Sequence, residues 1–277
     1  MIPLRTLLER RESVILMGIL NRTPDSFSDG GRYADTAAAI EHGLALAREG
    51  AAIVDVGGES TRPGAAPVSL DEELRRVIPV IEGLAGAGVG AVISIDTSKF
   101  EVARAALDAG ATFVNDVTAF RAAPQMAALV AASGAECALM HMQGEPSTMQ
   151  NAPRYGDVVA EVRDFLRERV AFAVDSGVAR ERIVVDPGFG FGKTVAHNLE
   201  LLERLDELTA LGRPLLIGTS RKSFLGALTG RSEEGRLAAT IATNVIGLIN
   251  GASVFRVHDV APVRDALAVA AATVSQR

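Results

Sequence analysis

The stretch Pro214-Leu-Leu-Ile-Gly-Thr-Ser-Arg-Lys-Ser-Phe-Leu-Gly226 joins a short apolar segment directly to a cluster of hydroxyl and cationic side chains. Residues Leu215 to Ile217 are branched and apolar, as in a strand buried on both faces, and Gly218 then allows another group to approach the backbone. After Lys222 the pattern becomes helical. Lys222 is therefore expected where a buried strand ends and a helix begins, beside free backbone N–H groups. A solvated helix start is the alternative if this segment is considered alone.

The alternation of a short apolar strand with an amphipathic helix runs through the whole chain. The expected strands cover residues 14–20, 53–56, 91–95, 112–114, 136–140, 183–185, 215–217 and 253–255. Helices are expected at residues 36–49, 69–84, 100–109, 124–132, 157–176, 197–211 and 260–274, with a further one after Lys222. This order predicts an α/β fold, a (β/α)8 TIM barrel, as a single domain over residues 1–277.

An open, doubly wound sheet is the alternative fold. Such a sheet would gather its functional residues at one switch point. Here polar residues follow strand after strand, as in barrel enzymes, which build their sites from the carboxyl ends of several strands. We therefore favour the barrel.

Composition limits the function classes. The chain has 277 residues, a formal net charge of -6 and a pI near 5.4, which argue against general nucleic-acid binding. We expect no membrane span and no secretory signal, because apolar runs of the required length are missing from the sequence. Cys137 is the single cysteine, so no internal disulfide is possible, and we expect a buried structural thiol and a cytoplasmic location.

The first group of polar residues at the strand ends consists of Asp96, Asn115 and Asp186. Each follows an apolar strand and should be partly withdrawn from water, where a carboxylate is costly unless hydrogen bonds satisfy it. A planar heterocycle with an amino group beside a ring N–H offers such donors. A helix cap or a loop turn is the alternative role for any one of these residues.

The second group is cationic or rich in oxygen: Asn21, Thr61, Arg62, Lys222, Arg256 and His258. It predicts an anion site, because arginine presents a fixed fork of donors to phosphate oxygens. The oxygen of Asn21 is a reasonable ligand for a Mg²⁺ ion that keeps most of its waters. Among the other histidines, His42 should be solvated, His197 should be a first-turn or capping residue of a helix, and His141 has no clear partner.

Several long motifs resemble those of the dihydropteroate synthase family. They are Gly18-Ile-Leu-Asn-Arg-Thr-Pro-Asp-Ser-Phe-Ser-Asp-Gly-Gly31, Asp55-Val-Gly-Gly-Glu-Ser-Thr-Arg-Pro-Gly64, Ser94-Ile-Asp-Thr97, Asn115-Asp-Val117, Met140-His-Met-Gln-Gly144, Asp186-Pro-Gly-Phe-Gly-Phe-Gly-Lys193, Gly218-Thr-Ser-Arg-Lys-Ser-Phe-Leu-Gly226 and Arg256-Val-His-Asp-Val260. They occur in the family's order and span nearly the whole chain.

The resemblance implies a barrel enzyme that condenses 6-hydroxymethyl-7,8-dihydropterin diphosphate with 4-aminobenzoate, with Mg²⁺, and releases pyrophosphate. It implies three sets of site residues. The pterin set is Asp96, Asn115, Met140, Asp186, Gly218 and Lys222; the diphosphate and Mg²⁺ set is Asn21, Thr61, Arg62, Arg256 and His258; the aminobenzoate set is Phe27, Thr61, Pro63, Phe191 and Ser223. The catalytic residues would be Lys222, Arg256, His258, Asp96 and Asp186. The resemblance also implies a homodimer and a sulfonamide target, and leaves the role of Arg221 open.

The chemistry of this reaction predicts a dissociative, SN1-like step. A neutral aromatic amine is already a competent nucleophile, so the barrier lies mainly in breaking the bond from carbon to the diphosphate oxygen. Cations would stabilise the departing diphosphate, and carboxylates would stabilise positive charge spreading into the pterin. Two alternatives remain: a pterin-binding methyltransferase barrel, and a non-catalytic pterin-binding paralogue.

Overall fold

The computed structural model describes residues 14–22, 32–62, 64–145 and 148–274. Eight parallel strands close into one barrel in sequence order, from β1 to β8, with β8 pairing back to β1. The strands are β1 (Ile15–Asn21), β2 (Ile53–Gly57), β3 (Val92–Asp96), β4 (Phe113–Asp116), β5 (Glu136–Met140), β6 (Ile183–Asp186), β7 (Leu215–Ile217) and β8 (Ala252–Val257). The predicted (β/α)8 barrel is confirmed.

Helices surround the barrel and connect its parallel strands. They are α1 (Arg32–Arg48), α2 (Leu70–Gly86), α3 (Phe100–Asp108), α4 (Met126–Ser133), α5 (Val158–Asp175), α6 (Val195–Glu203), α7 (Ser223–Thr229), α8 (Leu237–Ile249) and α9 (Val260–Val274). Short 3₁₀ helices cover Arg180–Arg182, Leu205–Leu211 and Glu234–Arg236. None of the helices in the described ranges is long and apolar enough to cross a membrane.

The inside of the barrel is apolar near the amino ends of the strands and polar near their carboxyl ends. Side chains alternate across a strand, so every second residue points inward. A closed cluster of inward side chains fills the lower barrel: Ile15, Met17, Ile53, Val92, Phe113, Ala138, Val184, Leu216 and Val254. On several of these strands a predicted site residue lies two residues further along, and on β1 and β3 Asn21 and Asp96 lie four residues further along. Thus Val184 is followed by Asp186, and Val254 by Arg256. The pleat therefore sets the predicted site on an apolar floor.

A second, larger core lies between the strands and the helices. It contains the outward side chains of the strands, such as Val54, Ile93 and Val185, packed against the apolar faces of the helices. Cys137 lies in this layer and is buried, and burial raises the pKa of its thiol. The expectation of a buried structural thiol is confirmed.

Helix caps follow the sequence signals at three positions. Ser69 caps α2 by accepting a hydrogen bond from the backbone N–H of Glu72, and Asp157 caps α5 in the same way. At α6, Thr194 and His197 form a reciprocal capping box, so the predicted capping role of His197 is confirmed. His42 is exposed on α1, as predicted.

Four details of the expected elements were wrong. Strand β4 extends to Asp116, so Asn115 lies inside the strand, and β8 extends to Val257, so Arg256 also does. The helix expected at residues 197–211 is interrupted at Arg204, where a 3₁₀ helix takes over. Two helices, α7 and α8, follow β7 where one was expected. The exact ends of these two strands and the break in the helix have no local signal, because tertiary contacts decide them.

Candidate active site

A cleft of about 620 Å³ opens at the carboxyl ends of the strands. A smaller space of about 50 Å³ lies beside it, and the two share residues such as Asp96, Lys222 and Arg256. Between them they are lined by the predicted residues Asn21, Thr61, Arg62, Asp96, Asn115, Met140, Asp186, Phe191, Gly218, Lys222, Ser223, Arg256 and His258. The other two predicted residues, Phe27 and Pro63, lie outside the described residues.

Arg256 is the centre of this cleft. Its Nε donates to Asp55 Oδ2 and its Nη2 donates to Asp96 Oδ2, both at 2.6 Å. Burial disfavours the charged guanidinium, but the two carboxylates together hold the pKa of Arg256 above its usual value. Burial raises the pKa of Asp96, and Arg256 opposes that shift. One cation thus holds carboxylates from two strands, β2 and β3, across the barrel.

Asp55 is a site residue that the sequence analysis missed. It is fully buried, accepts from Ser94 Oγ at 2.5 Å and from Asn115 Nδ2 at 3.1 Å, and so orients Asn115 as well as Arg256. The available signal was its position two residues after Ile53, which faces the barrel interior. Burying a carboxylate inside an apolar parallel strand costs free energy unless hydrogen-bond donors pair with it. A carboxylate at such a position therefore indicates a polar network.

Asp186 ends β6 and is 6% exposed. Its Oδ1 accepts a hydrogen bond of 2.7 Å from the backbone N–H of Gly188. Burial raises the pKa of Asp186, while that hydrogen bond and the cations Lys222, Lys193 and Arg256 lower it. The carboxylate therefore keeps a hydrogen-bonding edge toward the smaller space while its charge is balanced by its surroundings.

Lys222 occupies the position that the sequence predicted, at the residue before α7. Its Nζ lies 4.0 Å from the centre of the Phe191 ring, close enough for a cation–π contact. Burial and Arg256 lower the pKa of Lys222 to about 8, whereas Asp186 and Asp96 act in the opposite direction. Lys222 thus lies between the carboxylate-lined space and the aromatic wall.

His258 lines the cleft, and its ring contacts the hydroxyl of Ser220. Ser220 Oγ lies 3.0 Å from His258 Nδ1 and also accepts from the His258 backbone N–H at 3.2 Å. Because the backbone N–H occupies one lone pair of the hydroxyl, the hydroxyl hydrogen is available for Nδ1, which leaves the hydrogen of the neutral ring on Nε2. Burial and Arg256 lower the pKa of His258 to about 3. The ring is a neutral N–H donor rather than a cation.

Arg221, whose role the sequence left open, is bound to the segment that follows β8. Its guanidinium makes two bonds to Asp259, Nε to Oδ2 at 3.0 Å and Nη2 to Oδ1 at 2.6 Å. Its backbone has a φ of 57°, a left-handed conformation that costs free energy outside glycine. The backbone N–H donates to Thr240 Oγ1, and the carbonyl accepts from Arg236. Arg221 therefore both borders the cleft and fixes the turn that carries Lys222.

The loop after β2 carries Thr61 and Arg62 over the cleft. Glu59 at its base accepts from the Val68 N–H at 2.8 Å and from Lys99 Nζ at 2.6 Å. Lys99 also pairs with the buried Glu73 of α2. At the tip, Arg62 forms an exposed ion pair of 2.6 Å with Glu233, a contact that such exposure makes weak. The base of the loop is fixed, and its cation is held only loosely.

His141 has a partner after all. Its Nδ1 lies 3.0 Å from Nζ of Lys193, the last residue of the motif that begins at Asp186. This contact corrects the expectation that His141 has no clear partner, and no local pattern could have indicated it, because the two residues are far apart in sequence.

The position of Asn21 fits a weakly held divalent cation. Asn21 ends β1 and lines the cleft next to Asp96 and Arg256. Clusters of three or more His, Cys, Asp or Glu side chains suited to a metal are absent from the described residues. A single neutral amide oxygen suits Mg²⁺ when waters and substrate phosphates complete the coordination.

A barrel that sets paired carboxylates beside a cationic cleft at the carboxyl ends of its strands defines a ligand-binding enzyme site. Comparison with known families identifies the class: the family described as pterin binding enzyme matches residues 17–258. The chain belongs to this family.

Its relatives in that family are dihydropteroate synthases. The Escherichia coli K12 dihydropteroate synthase is 48% identical over 264 residues, covering 95% of this chain and 92% of that protein. A solved structure of the Xanthomonas albilineans enzyme with 4-aminobenzoic acid is 50% identical, with a TM-score of 0.88 over 94% of this chain and 93% of that one. The Yersinia pestis enzyme in a sulfonamide drug complex is 43% identical, with a TM-score of 0.89 over 95% and 94% of the two chains.

We predict that His258 stays neutral, with hydrogen on Nε2, at every pH from about 5 to 8, because burial and Arg256 disfavour the imidazolium. Nitrogen NMR of ¹⁵N-histidine-labelled protein measures the tautomer directly. Ser220→Ala should weaken the Nε2–H preference and lower kcat/KM roughly tenfold, the value of about one hydrogen bond. Ser220→Thr keeps the hydroxyl and serves as the control. An imidazolium signal at pH 6 would contradict this assignment.

Proposed function

We propose that this protein condenses 6-hydroxymethyl-7,8-dihydropterin diphosphate with 4-aminobenzoate and releases 7,8-dihydropteroate and pyrophosphate, as a dihydropteroate synthase of folate biosynthesis. The observation that carries the proposal is the pairing of two different surfaces in one cleft. A recess with buried carboxylate and amide groups adjoins a mouth that is rich in cations and hydroxyls. The substrate has the same two parts, a donor-rich heterocycle and an anionic diphosphate.

The recess supplies the pterin contacts. Asp186 and Asn115 are almost fully buried and present oxygen acceptors to ring N–H and amino groups, as a carboxylate does to a guanidinium. Met140 and Val117 provide apolar walls, and Gly218 leaves room for a flat ring above β7. Lys222 and Asp96 border the same space on the side of the mouth.

The amine substrate is assigned to the space beside the recess. Phe191 is 7% exposed and supplies an aromatic wall, and Thr61 stands at the junction with the recess. The exposed hydroxyl of Ser223 is placed to receive the carboxylate of 4-aminobenzoate. The assignment of Phe27 and Pro63 to this pocket stays a prediction.

The diphosphate is assigned to the mouth. Arg256 and His258 line it, and Arg62 can leave its exposed partner Glu233 to add a further cation. Asn21 and the diphosphate oxygens would hold Mg²⁺, which, when bound, would neutralise negative charge on the phosphates. Thr61 can contribute its hydroxyl to the same group.

The residues of this chain favour a dissociative, SN1-like reaction. Arg256 and the neutral His258 stabilise negative charge on the departing diphosphate, and neither has to give up a proton. Asp96 and Asp186 stabilise the positive charge that spreads from the methylene carbon into the pterin. The amine attacks in its neutral form, so the site requires no strong general base.

Steady-state assays test this function against the two alternatives. The protein is mixed with the pterin diphosphate, 4-aminobenzoate and Mg²⁺, and pyrophosphate release is followed with and without the amine. Amine-dependent release supports the synthase. A methyltransferase barrel or a binding paralogue would give none.

Asp186→Asn should lower kcat/KM for the pterin diphosphate by about a hundredfold or more, because the charge-assisted hydrogen bonds to the ring are lost in a buried site. The steady-state rates of the purified variant measure the effect. Asp164→Asn, an exposed carboxylate on α5, is the matched control and should keep the wild-type rate. Near-normal turnover and affinity in Asp186→Asn would remove Asp186 from the pterin site.

A sulfonamide should compete with 4-aminobenzoate, because both carry an aromatic amine opposite an acidic group. We expect the apparent KM for 4-aminobenzoate to rise with sulfonamide concentration while kcat is unchanged. Phe191→Ala should raise both the KM for the amine and the inhibition constant, by roughly tenfold each. Full activity at saturating sulfonamide with limiting amine would contradict the assigned pocket.

We further propose that the protein is a homodimer, and the support is an apolar surface on neighbouring helices. Leu228 of α7 is 53% exposed, and Ile246 and Ile249 of α8 are 43% and 53% exposed. The two helices contact each other, and exposed apolar side chains on neighbouring helices are typical of an interface between subunits. Light scattering should give twice the chain mass, and Leu228→Asp combined with Ile249→Asp should give a monomer. A monomeric wild type would refute the dimer.

A cytoplasmic location is proposed for the same protein. Its single cysteine is buried and free, as expected for a protein of a reducing compartment.

A further inference from the structure

A lysine inside the loop after β6 uses all of its donors within the protein. Lys193 is 3% exposed. Its Nζ donates to the carbonyl oxygens of Gly188 at 2.9 Å and Phe191 at 3.0 Å, and lies 3.0 Å from His141 Nδ1. An ammonium group has three N–H donors, and this site offers three acceptors.

His141 completes this arrangement as a neutral ring. Burial and the charges of Lys193 and Arg121 lower the pKa of His141 to about 2. Its Nδ1 can therefore accept from the ammonium. The ring itself is held by an edge-on contact with Phe165, at 4.9 Å between ring centres. The acceptor for Lys193 is thus fixed by α5 as well as by the end of β5.

The other carbonyls of the same loop are also bound. Tyr155 Oη donates to the Gly192 carbonyl at 2.8 Å, and Gln150 Nε2 donates to the Gly190 carbonyl at 2.5 Å. The loop crosses the backbone of residues 141–143 so closely that a side chain at Gly188 or Gly192 would collide with it. Because the backbone at these glycines packs directly against residues 141–143, the loop is held in a single conformation.

Lys193 follows the segment that runs from Asp186 to Phe191, and its Nζ reaches back to bind two carbonyls of that segment. At one end the Gly188 N–H holds the Asp186 carboxylate, and at the other end the Phe191 ring faces Lys222. By binding the carbonyls of Gly188 and Phe191 together, Lys193 sets the distance between the recess and the aromatic wall.

Charge supports the same role. None of the three hydrogen-bond partners of Lys193 is a carboxylate. Burial lowers the pKa of Lys193 to about 7, and the charge of Asp186 opposes that shift. In return, Lys193 acts with Lys222 and Arg256 to favour the ionised form of Asp186. The buried ammonium and the buried carboxylate thus stabilise each other.

We propose that Lys193 is a positioning residue for the condensation: by binding the carbonyls of Gly188 and Phe191 it holds Asp186 and Phe191 at the spacing that the two substrates need. The inference rests on the proposed function, because it assigns Asp186 to the pterin and Phe191 to the amine. Lys193 touches neither substrate and acts through these two residues.

The test separates charge from hydrogen bonding with two variants of the full-length protein. Lys193→Gln keeps hydrogen-bond donors but removes the charge, and Lys193→Arg keeps the charge in a planar group that does not fit three acceptors arranged around one point. Val130→Ala in α4, at a fully buried position outside the site, is the control for a general loss of stability.

The pH dependence of kcat/KM for the pterin diphosphate, at saturating amine, reports the ionisation of Asp186. An ionised Asp186 supports activity above its pKa, and the activity falls as the pH drops through that pKa. Removing the neighbouring cation raises the pKa, so Lys193→Gln should move the acidic limb upward by about 1 pH unit. Lys193→Arg should leave the limb near the wild-type position. If the acidic limb of the kcat/KM profile stays at the wild-type pH in Lys193→Gln, Lys193 does not influence the ionisation of Asp186, and its action on Asp186 is refuted.

The KM for 4-aminobenzoate reports the position of Phe191. Both Lys193 variants should raise it by roughly tenfold or more, since displacement of a site by about 1 Å costs that much or more. Val130→Ala should lower the melting temperature without changing either the KM or the acidic limb. If Lys193→Gln folds poorly, Lys193→Arg still decides the positioning role through its KM, and an unchanged KM would refute it. Turnover by the wild-type protein tests the proposed function separately. The positioning role of Lys193 can therefore be refuted while the proposed function stands.

Discussion

The burial of Arg256 between Asp55 and Asp96 is the interaction on which the rest of the site depends. A cation inside a barrel is stable only when carboxylates accept from it, and each carboxylate is stable only with donors of its own. Asp55 obtains these from Ser94, Asn115 and Arg256, so four strands are linked by one polar network. Removing one member would leave a buried charge without its partner, which ties the binding groups to the stability of the barrel.

This network can exist because the pleat of each strand divides the barrel into two levels. The lower level is filled by apolar side chains around Phe113, and it excludes water from beneath the charges. The upper level, two to four residues further along the strands, carries the carboxylates, the amide and the cations. Low polarity below strengthens electrostatic interactions in the recess. Solvent above keeps the mouth accessible to an anion.

The loops that complete the site are held in contrasting ways. The loop after β6 is fixed by Lys193, Tyr155 and Gln150, which bind its carbonyl oxygens, so Phe191 forms a rigid wall. The loop after β2 is fixed only at its base, through Glu59 and Lys99, while Arg62 at its tip makes an exposed ion pair. A rigid wall suits recognition of a flat ring, and a loosely held cation suits an anion that enters and leaves.

The sequence by itself determined the barrel, its strand order and the residues of the rim, because apolar periodicity, capping residues and polar strand ends are local signals. Lys222, Asp186 and His258 were found in this way. Asp55 was missed, although its spacing from Ile53 offered a signal, and the partners of His141 and Arg221 were not predictable at all. Those pairings join residues that are far apart in the chain. A salt bridge leaves no periodic pattern in the sequence that could indicate it. Only the tertiary structure decided which cation meets which carboxylate, since that depends on strand register and on the close contacts that glycines such as Gly188 allow.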